Sequence, residues 1–173
     1  RVLFRSHNII GLRRIAMAEA FHQAGVPAKR AEDVIDGALD VFMNARNDVE
    51  PFPEVMESLA RLAMQFPLGT LSNGNADIFK MPLGRHFKAA VSAQSHGASK
   101  PEPGIFHAAC RALDCDPAEV VHLGDDVELD VRGARNAGLH AVWINRNGMQ
   151  WPGADAPTTV TNLIDFEGWI REF

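Results

Sequence analysis

Four acidic side chains lie within six positions near the middle of the chain. Asp125, Asp126, Glu128 and Asp130 follow a short apolar run that ends at Leu123. Carboxylates this close together repel one another, and a hard divalent cation would neutralise them through oxygen ligands. A structural role is the alternative, because acidic residues also favour the first turn of a helix. The spacing alone leaves both interpretations open.

Two further polar segments have groups that could bind a phosphate. Ser72, Asn73 and Gly74 would place a hydroxyl, an amide and free backbone N–H groups at a strand-to-helix turn. The same residue types are also common in ordinary turns. Lys100 lies in a loop stiffened by two prolines, where its ammonium could neutralise a transferring phosphoryl group. A solvated loop lysine is the commoner finding, so neither segment identifies a function by itself.

Alternating strands and helices are expected to position these groups. The apolar runs bounded by Gly or Pro are predicted to be buried strands, at 67–71, 89–93, 120–123 and 140–144. Helical periodicity is predicted between and after them, with one helix at 103–113 and a last helix that closes the chain. Repeated strand–helix units imply a parallel sheet covered by helices on both faces. The acidic cluster then lies at the carboxyl end of a strand, where open α/β sheets bind ligands.

The first fifty residues are predicted to form a helical hairpin. Apolar residues recur at helical spacing in two stretches joined by a Gly-Val-Pro turn, and Ala38 and Phe42 belong to the apolar face of the second stretch. We therefore divide the chain into a helical part at 7–50 and an α/β part at 51–173. Residues 1–6 begin with Arg instead of Met and are expected to be a non-native leader, with a proteolytic boundary as the alternative.

The composition argues against several classes of protein. The chain has 173 residues, of which 46% are hydrophobic and 23% charged, as in ordinary globular domains. A formal net charge of −5 without a basic stripe argues against nucleic-acid binding. Cys110 and Cys115 support neither a disulfide framework nor a zinc site. No transmembrane run or signal peptide is recognisable, so we expect a cytoplasmic protein without a membrane partner.

The order of the three polar segments resembles the haloacid dehalogenase superfamily of hydrolases. A serine at one strand end precedes Lys-Pro before a helix, and Gly-Asp-Asp-x-x-x-Asp follows at the next strand end. This is the order of the second, third and fourth motifs of that family. The stretches LSNGNA, HGASKPEPGIF and HLGDDVELDVRGARNAGL are similar to bacterial flavin mononucleotide phosphatase-like members. The resemblance extends over nearly all of the chain after residue 6.

The resemblance implies a fold and a reaction. The fold would be a Rossmann-like parallel sheet with helices on both faces and a small α-helical cap. The reaction would be Mg²⁺-dependent hydrolysis of a small phosphate monoester through an aspartyl-phosphate. Flavin mononucleotide or a riboflavin-pathway sugar phosphate would be natural substrates.

The resemblance also implies roles for the three segments. Ser72 would hydrogen-bond the phosphoryl oxygens, and Asn73 and Gly74 would line the same pocket. Lys100 would stabilise the charge of the phosphoryl group and of the attacking carboxylate.

The acidic cluster would hold the metal in this family. Asp125 would bind Mg²⁺, and Asp130 would support the metal directly or through water. Asp126 is a further candidate ligand, at a position where the family also accepts other small residues. Phosphoryl transfer depends mainly on positioning and charge neutralisation, so this set of groups suits the reaction.

One family feature is missing from the sequence. The first motif of the family, a strand ending in Asp-x-Asp, supplies the nucleophile and the general acid and precedes the cap. No such strand precedes Ile10, and Asp33, Asp36 and Asp40 fall in a helical pattern. We therefore expect a fragment that lacks the nucleophile and one mid-sheet strand. Such a fragment would be inactive as a phosphatase and poorly stable, because two central strands would lose their ladder partners.

Two other functions remain open at this stage. The first is the metal-free dehalogenase branch of the same superfamily, although a carbon–halogen displacement has no need for the acidic cluster. The second is a nucleophile-less module that binds phosphate esters without hydrolysing them. Trp143 and Trp151 could frame an aromatic ligand, but packing near a strand is the commoner role of such residues. The sequence indicates neither the substrate nor the oligomeric state.

Overall fold

The computed structural model describes residues 9–173, and the predicted leader at 1–6 lies outside the described residues. The description begins with two helices, α1 (Ile9–Gln23) and α2 (Ala28–Asn47), and continues with an α/β core. Within residues 9–173, none of the helices combines the length and apolar character needed to cross a membrane.

Helices α1 and α2 pack against each other through an apolar cluster of their own. The cluster comprises Ala31, Ile35 and Leu39 of α2 with Ile10, Met17, Phe21 and Val26. Between the helices Gly25 adopts a positive φ of 72°, which a glycine tolerates and which ends α1. The prediction that Ala38 faces inward is wrong, because Leu39 continues the four-residue spacing and is buried while Ala38 is exposed.

Between residues 9 and 173, five strands form two parallel sheets. In the first, β1 (Gly69–Ser72) pairs with β2 (Ala89–Ser92). In the second, β4 (His140–Ile144) lies between β3 (Val121–Gly124) and β5 (Thr158–Val160). All of these pairs are parallel, as the alternating strands and helices predicted.

Helices cover both faces of the strands. On one face α5 (Pro103–Leu113) and α6 (Gly133–Asn136) bury apolar residues against both sheets, at Leu71, Val91, Val120 and Ala141. On the other face α3 (Val55–Ala63) and α7 (Leu163–Ile170) pack on a second cluster, which includes Leu68, Val121, Leu123 and Val142. The first cluster takes residues from both sheets, and the second includes Leu68, which directly precedes β1, so the two sheets form one layer. The predicted Rossmann-like α/β fold is confirmed.

The edges of β1 and β3 are unpaired within residues 9–173. Each of these strands is bonded to one neighbour there, β2 and β4 respectively, and no strand in this range joins the two sheets. The family resemblance implied that a strand is missing between the strands ending at Ser72 and Asp125, and this stays a prediction.

Several short elements were not predicted from the sequence. Strand β5 has only three residues, and two of them are threonines, so it lacks the apolar run used to predict strands. Its pairing with β4 defines it instead. A one-turn helix, α4 (Ala93–His96), follows β2, and the acidic cluster opens into a π-helical turn at Val127–Arg132. Further 3₁₀ turns lie at Ile78–Lys80, Pro82–His86 and Pro117–Glu119.

An ion pair between the half-exposed Arg61 and the buried Glu167 joins α3 to α7 beneath the second sheet. Arg61 donates from Nε to Glu167 Oε2 at 2.7 Å and from Nη2 to Oε1 at 2.8 Å. The same Nη2 lies 3.3 Å from the hydroxyl of Ser58, which is fully buried. The hydrogen bonds from Arg61 lower the pKa of Glu167 below its ordinary value. This bidentate pair fixes the distance between the two helices.

We predict that Glu167→Gln lowers the free energy of unfolding at pH 7 by about 1–3 kcal/mol, because a charge-assisted bidentate pair is lost from a buried carboxylate. The pKa of Glu167 is lower in the folded than in the unfolded state. Its contribution is therefore present above the unfolded pKa and is lost as the pH falls through the folded pKa. Urea unfolding at several pH values measures this, and the difference between wild type and variant should shrink in acid.

Glu57→Gln is the matched control, because Glu57 is an exposed partner of the same Arg61 at 3.6 Å. Its removal should change stability little, since exposed ion pairs contribute little. A pH-independent difference between wild type and Glu167→Gln contradicts the assigned role of the Glu167 carboxylate.

Candidate active site

A buried ion pair lies at the centre of the candidate site. Lys100 Nζ donates to Asp130 Oδ1 at 2.5 Å, and the two side chains are 12% and 6% exposed. His122 Nε2 lies 3.0 Å from the same carboxylate oxygen, and its ring packs edge-on against Phe106. The other oxygen, Oδ2, accepts the backbone N–H of Asp126 at 3.1 Å. Asp130 therefore has hydrogen-bond partners on both of its oxygens.

These partners determine the charge of Asp130. Burial alone would raise the pKa of Asp130, but the hydrogen bonds from His122 and Lys100 outweigh it and hold this pKa well below the usual range. Asp130 is thus ionised across the physiological pH range. The negative charge of Asp130 holds the ammonium of Lys100 in one position. Without it, the flexible lysine side chain could rotate freely.

Neighbouring residues in the sequence allow Asp130 to lie close to the end of β3. A Cβ atom on Gly124 would lie 2.3 Å from Asp130 Cγ, so the close approach of this side chain to the end of β3 requires glycine. Asp126 Oδ1 accepts the backbone N–H groups two and three residues further on, at 2.9 and 2.8 Å. This cap starts the π-helical turn at Val127–Arg132, a rare geometry that is frequent at functional sites.

The loop after β1 is joined to the same centre. Asn73 Oδ1 accepts the backbone N–H of Lys100 at 2.7 Å, and Asn73 Nδ2 donates to the Lys100 carbonyl at 3.0 Å. Ser72 Oγ accepts the N–H of Gly74 at 2.9 Å, which leaves the hydroxyl hydrogen of Ser72 available to a ligand. Asn73 therefore acts as a clamp that holds the lysine segment beside the end of β1.

Asp125 differs from the other two aspartates. Its carboxylate is exposed and has no hydrogen bond or ion pair within residues 9–173, while its backbone carbonyl accepts from the indole N–H of Trp143 at 2.9 Å. Asp126 keeps one carboxylate oxygen outside its capping bonds. In the part of the chain that the structure describes, no three His, Cys, Asp or Glu side chains form a metal site. Mg²⁺ usually takes one or two carboxylates together with water and substrate phosphate, and Asp125 with Asp126 fits that pattern.

The structure brings most of the predicted site residues together. Direct hydrogen bonds connect Asn73, Lys100, Asp130 and Asp126 in one chain of contacts, and Ser72 precedes the first of them. The roles predicted for these residues in binding substrate or metal stay predictions. Within residues 9–173, both oxygens of Asp130 are engaged by protein groups, so its most direct structural task is to hold Lys100.

Two aromatic residues and one histidine have roles that the sequence did not reveal. Trp143 is buried and packs edge-on against Trp151, with ring centroids 5.6 Å apart. Its indole N–H donates to the backbone carbonyl of Asp125. The sequence analysis assigned no role to His122. Its position two residues before Gly124 was the available signal, because alternate residues of a strand share a face.

A family model described as haloacid dehalogenase-like hydrolase matches residues 4–138. The chain belongs to this family. The match covers the helical hairpin, the segments around Ser72 and Lys100, and the acidic cluster. The order of motifs in the sequence agrees with it.

Curated relatives of the chain are phosphatases by name. The chain is 31% identical over 138 residues to 5-amino-6-(5-phospho-D-ribitylamino)uracil phosphatase YigB of Escherichia coli. This alignment covers 80% of the chain and 58% of the relative. The chain is 32% identical over 134 residues to phosphoserine phosphatase of Thermus thermophilus. This second alignment covers 74% of the chain and 52% of the relative. The chain spans about half the length of the curated relatives it matches.

A solved structure also resembles the chain closely. The crystal structure of 2-haloacid dehalogenase from Pseudomonas syringae pv. Tomato superposes with a TM-score of 0.91 at 35% identity. The alignment covers 96% of this chain and 73% of that one. This similarity extends through both sheets and the helices that cover them.

We predict that Asp130→Asn destabilises the protein by about 3–5 kcal/mol, because it leaves the ammonium of Lys100 buried without a countercharge. Chemical unfolding at pH 7 measures the loss. In a double-mutant cycle, adding Lys100→Met should restore part of the stability, since it removes the unpaired charge.

Glu128→Gln serves as the control, because Glu128 pairs with Arg132 on the exposed side of the same turn at 2.6 Å. It should change stability little. Equal effects of Asp130→Asn and Glu128→Gln contradict the central role given to the Lys100–Asp130 pair.

Proposed function

We propose that this chain carries the phosphate- and metal-binding part of a Mg²⁺-dependent phosphatase that acts on a small phosphate monoester. One observation carries the proposal: Asn73 and Asp130 hold Lys100 from two sides, at the place where the Ser72 loop and the acidic turn meet. A fixed cation beside a hydroxyl donor suits the transfer of a phosphoryl group, whose charge must be neutralised in the transition state.

Each group has a defined task in this proposal. The Ser72 hydroxyl donates to a phosphoryl oxygen, and the Lys100 ammonium balances the charge that develops on the group. Asp130 acts through Lys100 by fixing its position and charge. Asp125 and Asp126 would hold Mg²⁺, which when bound supplies further neutralisation of the phosphoryl oxygens.

The nucleophile is the part of the reaction that this proposal leaves to other residues. Within residues 9–173, none of the five strands is followed by Asp-x-Asp, and Asp33, Asp36 and Asp40 are exposed on α2. The attacking carboxylate and the general acid would have to come from outside this range. We therefore propose that these 173 residues bind phosphate esters without hydrolysing them.

The relatives support a phosphate monoester over a haloacid as substrate. The two curated relatives described above are named as phosphatases, and one of these names includes a phosphorylated ribityl chain. Dehalogenation stays a second candidate, because the structure that is 35% identical is titled as a dehalogenase. The exposed Asp125 favours the phosphatase, since halide displacement does not need a metal. The proposed partner is a small phosphorylated metabolite in the cytoplasm, with neither nucleic acid nor membrane involved.

We predict that Mg²⁺ strengthens the binding of ethylphosphonate, a non-hydrolysable phosphate-ester analogue, by at least about 10-fold, and that Asp125→Asn abolishes this enhancement. Isothermal titration calorimetry with and without Mg²⁺ measures both. The exposed Asp125 side chain makes no hydrogen bond or ion pair within residues 9–173, so its substitution should leave folding unchanged. Ser72→Ala should weaken ethylphosphonate binding in the presence of Mg²⁺.

Glu128→Gln removes one charge from the same acidic cluster and should keep the Mg²⁺ enhancement. Binding that is indifferent to Mg²⁺ and to Asp125→Asn, together with binding of 2-chloropropionate, supports the dehalogenase instead. Mg²⁺-dependent release of phosphate from p-nitrophenyl phosphate by these residues alone contradicts the assignment of the nucleophile to other residues.

A further inference from the structure

A positive charge from helix α2 lies beside the loop that follows β1. Arg46 Nη2 is 3.0 Å from the position that a Cβ atom on Gly74 would occupy, and Ser72 Oγ is 3.2 Å from the same position. The guanidinium and the hydroxyl therefore lie close to each other beside the glycine backbone. A Cβ atom at residue 74 would crowd both groups, and glycine avoids this.

The end of α2 is held against this loop by its own contacts. Asn47 Oδ1 accepts the backbone N–H of Asp77 at 3.0 Å, and Asn75 Nδ2 lies 3.6 Å from the sulfur of Met43. Positions 43, 46 and 47 share one face of a helix, because residues three and four apart are neighbours. These contacts hold the end of α2 against the loop, and the exposed Arg46 projects from the same face of the helix.

The charge of Arg46 is not compensated by the described part of the protein. Its guanidinium has no ion pair or hydrogen bond within residues 9–173, whereas Arg61 and Arg146 both pair with carboxylates there. Lys100, the other cation of the site, is paired with Asp130. An unpaired guanidinium beside a phosphate site, in a chain of net charge −5, has the chemistry to bind an anion.

We propose that Arg46 binds a second anionic group of the substrate, so that the preferred substrates are phosphate monoesters that also carry a carboxylate or another phosphate. This inference rests on the function proposed above. Ser72 and Lys100 take the phosphoryl group on the core side, and Arg46 Nη2 lies close to Ser72 Oγ on the hairpin side. A substituent that extends this way meets a planar fork of donors suited to bidentate binding of carboxylate or phosphate.

Two non-hydrolysable ligands test the proposal. Phosphonoacetate carries a phosphonate and a carboxylate, and in ethylphosphonate a methyl group replaces the carboxylate. Calorimetric titration of wild type and Arg46→Ala, all at the same Mg²⁺ concentration, gives the ratio of the two affinities for each protein. Arg46→Ala should weaken the binding of phosphonoacetate by about 10-fold, as expected for a charged hydrogen-bonded pair. It should weaken the binding of ethylphosphonate much less. Arg46→Lys should restore part of the lost preference.

Arg30→Ala is the matched control. Arg30 is exposed near the start of the same helix and carries the same charge, so its removal should leave the ratio unchanged. An equal effect of Arg46→Ala on both ligands, or no effect on either, overturns the proposal while leaving the phosphate site intact. Failure of wild type to bind either ligand overturns the proposed function itself, and the role of Arg46 with it.

Discussion

The buried contact between Lys100 and Asp130 is the interaction on which the rest of the site depends. It connects the loop before α5 to the turn after β3, and Asn73 extends the connection to the loop after β1. Burying a lysine and an aspartate costs solvation, which is recovered only where both groups have good partners. Asp130 meets this condition through His122 and the Asp126 N–H. A site assembled in this way is positioned before any ligand binds.

The same pair also joins two halves of the fold. Strand β1 belongs to one sheet and β3 to the other, and within residues 9–173 no strand bridges them. Between residues 9 and 173, the apolar clusters on the two faces of the layer hold the two sheets together. Contacts among polar side chains join them at the carboxyl ends of the strands. An unpaired strand edge exposes backbone donors and acceptors, so the polar contacts at this edge have a structural as well as a chemical role. The helical hairpin adds a second boundary to the site through the end of α2.

Much of this arrangement was predictable from the sequence. The rest was not predictable, and the causes are physical. Helix 103–113 and strand 140–144 were predicted with the bounds that the structure shows, because their apolar patterns are unambiguous. Strand β5 escaped prediction because it is short and polar, and only its pairing with β4 creates it. The residue types at Ser72, Lys100 and Asp125 indicated phosphate chemistry. The position of Arg46 depends on how the hairpin packs against the core, which no local pattern encodes.

The most direct test of this account is a crystal structure of the protein with Mg²⁺ and inorganic phosphate. The account predicts a phosphate with its oxygens about 2.7–3.0 Å from Ser72 Oγ and Lys100 Nζ, Mg²⁺ bound by Asp125, and Asp130 still on Lys100. A phosphate bound elsewhere, or a Lys100 that leaves Asp130 and turns to solvent, would contradict it.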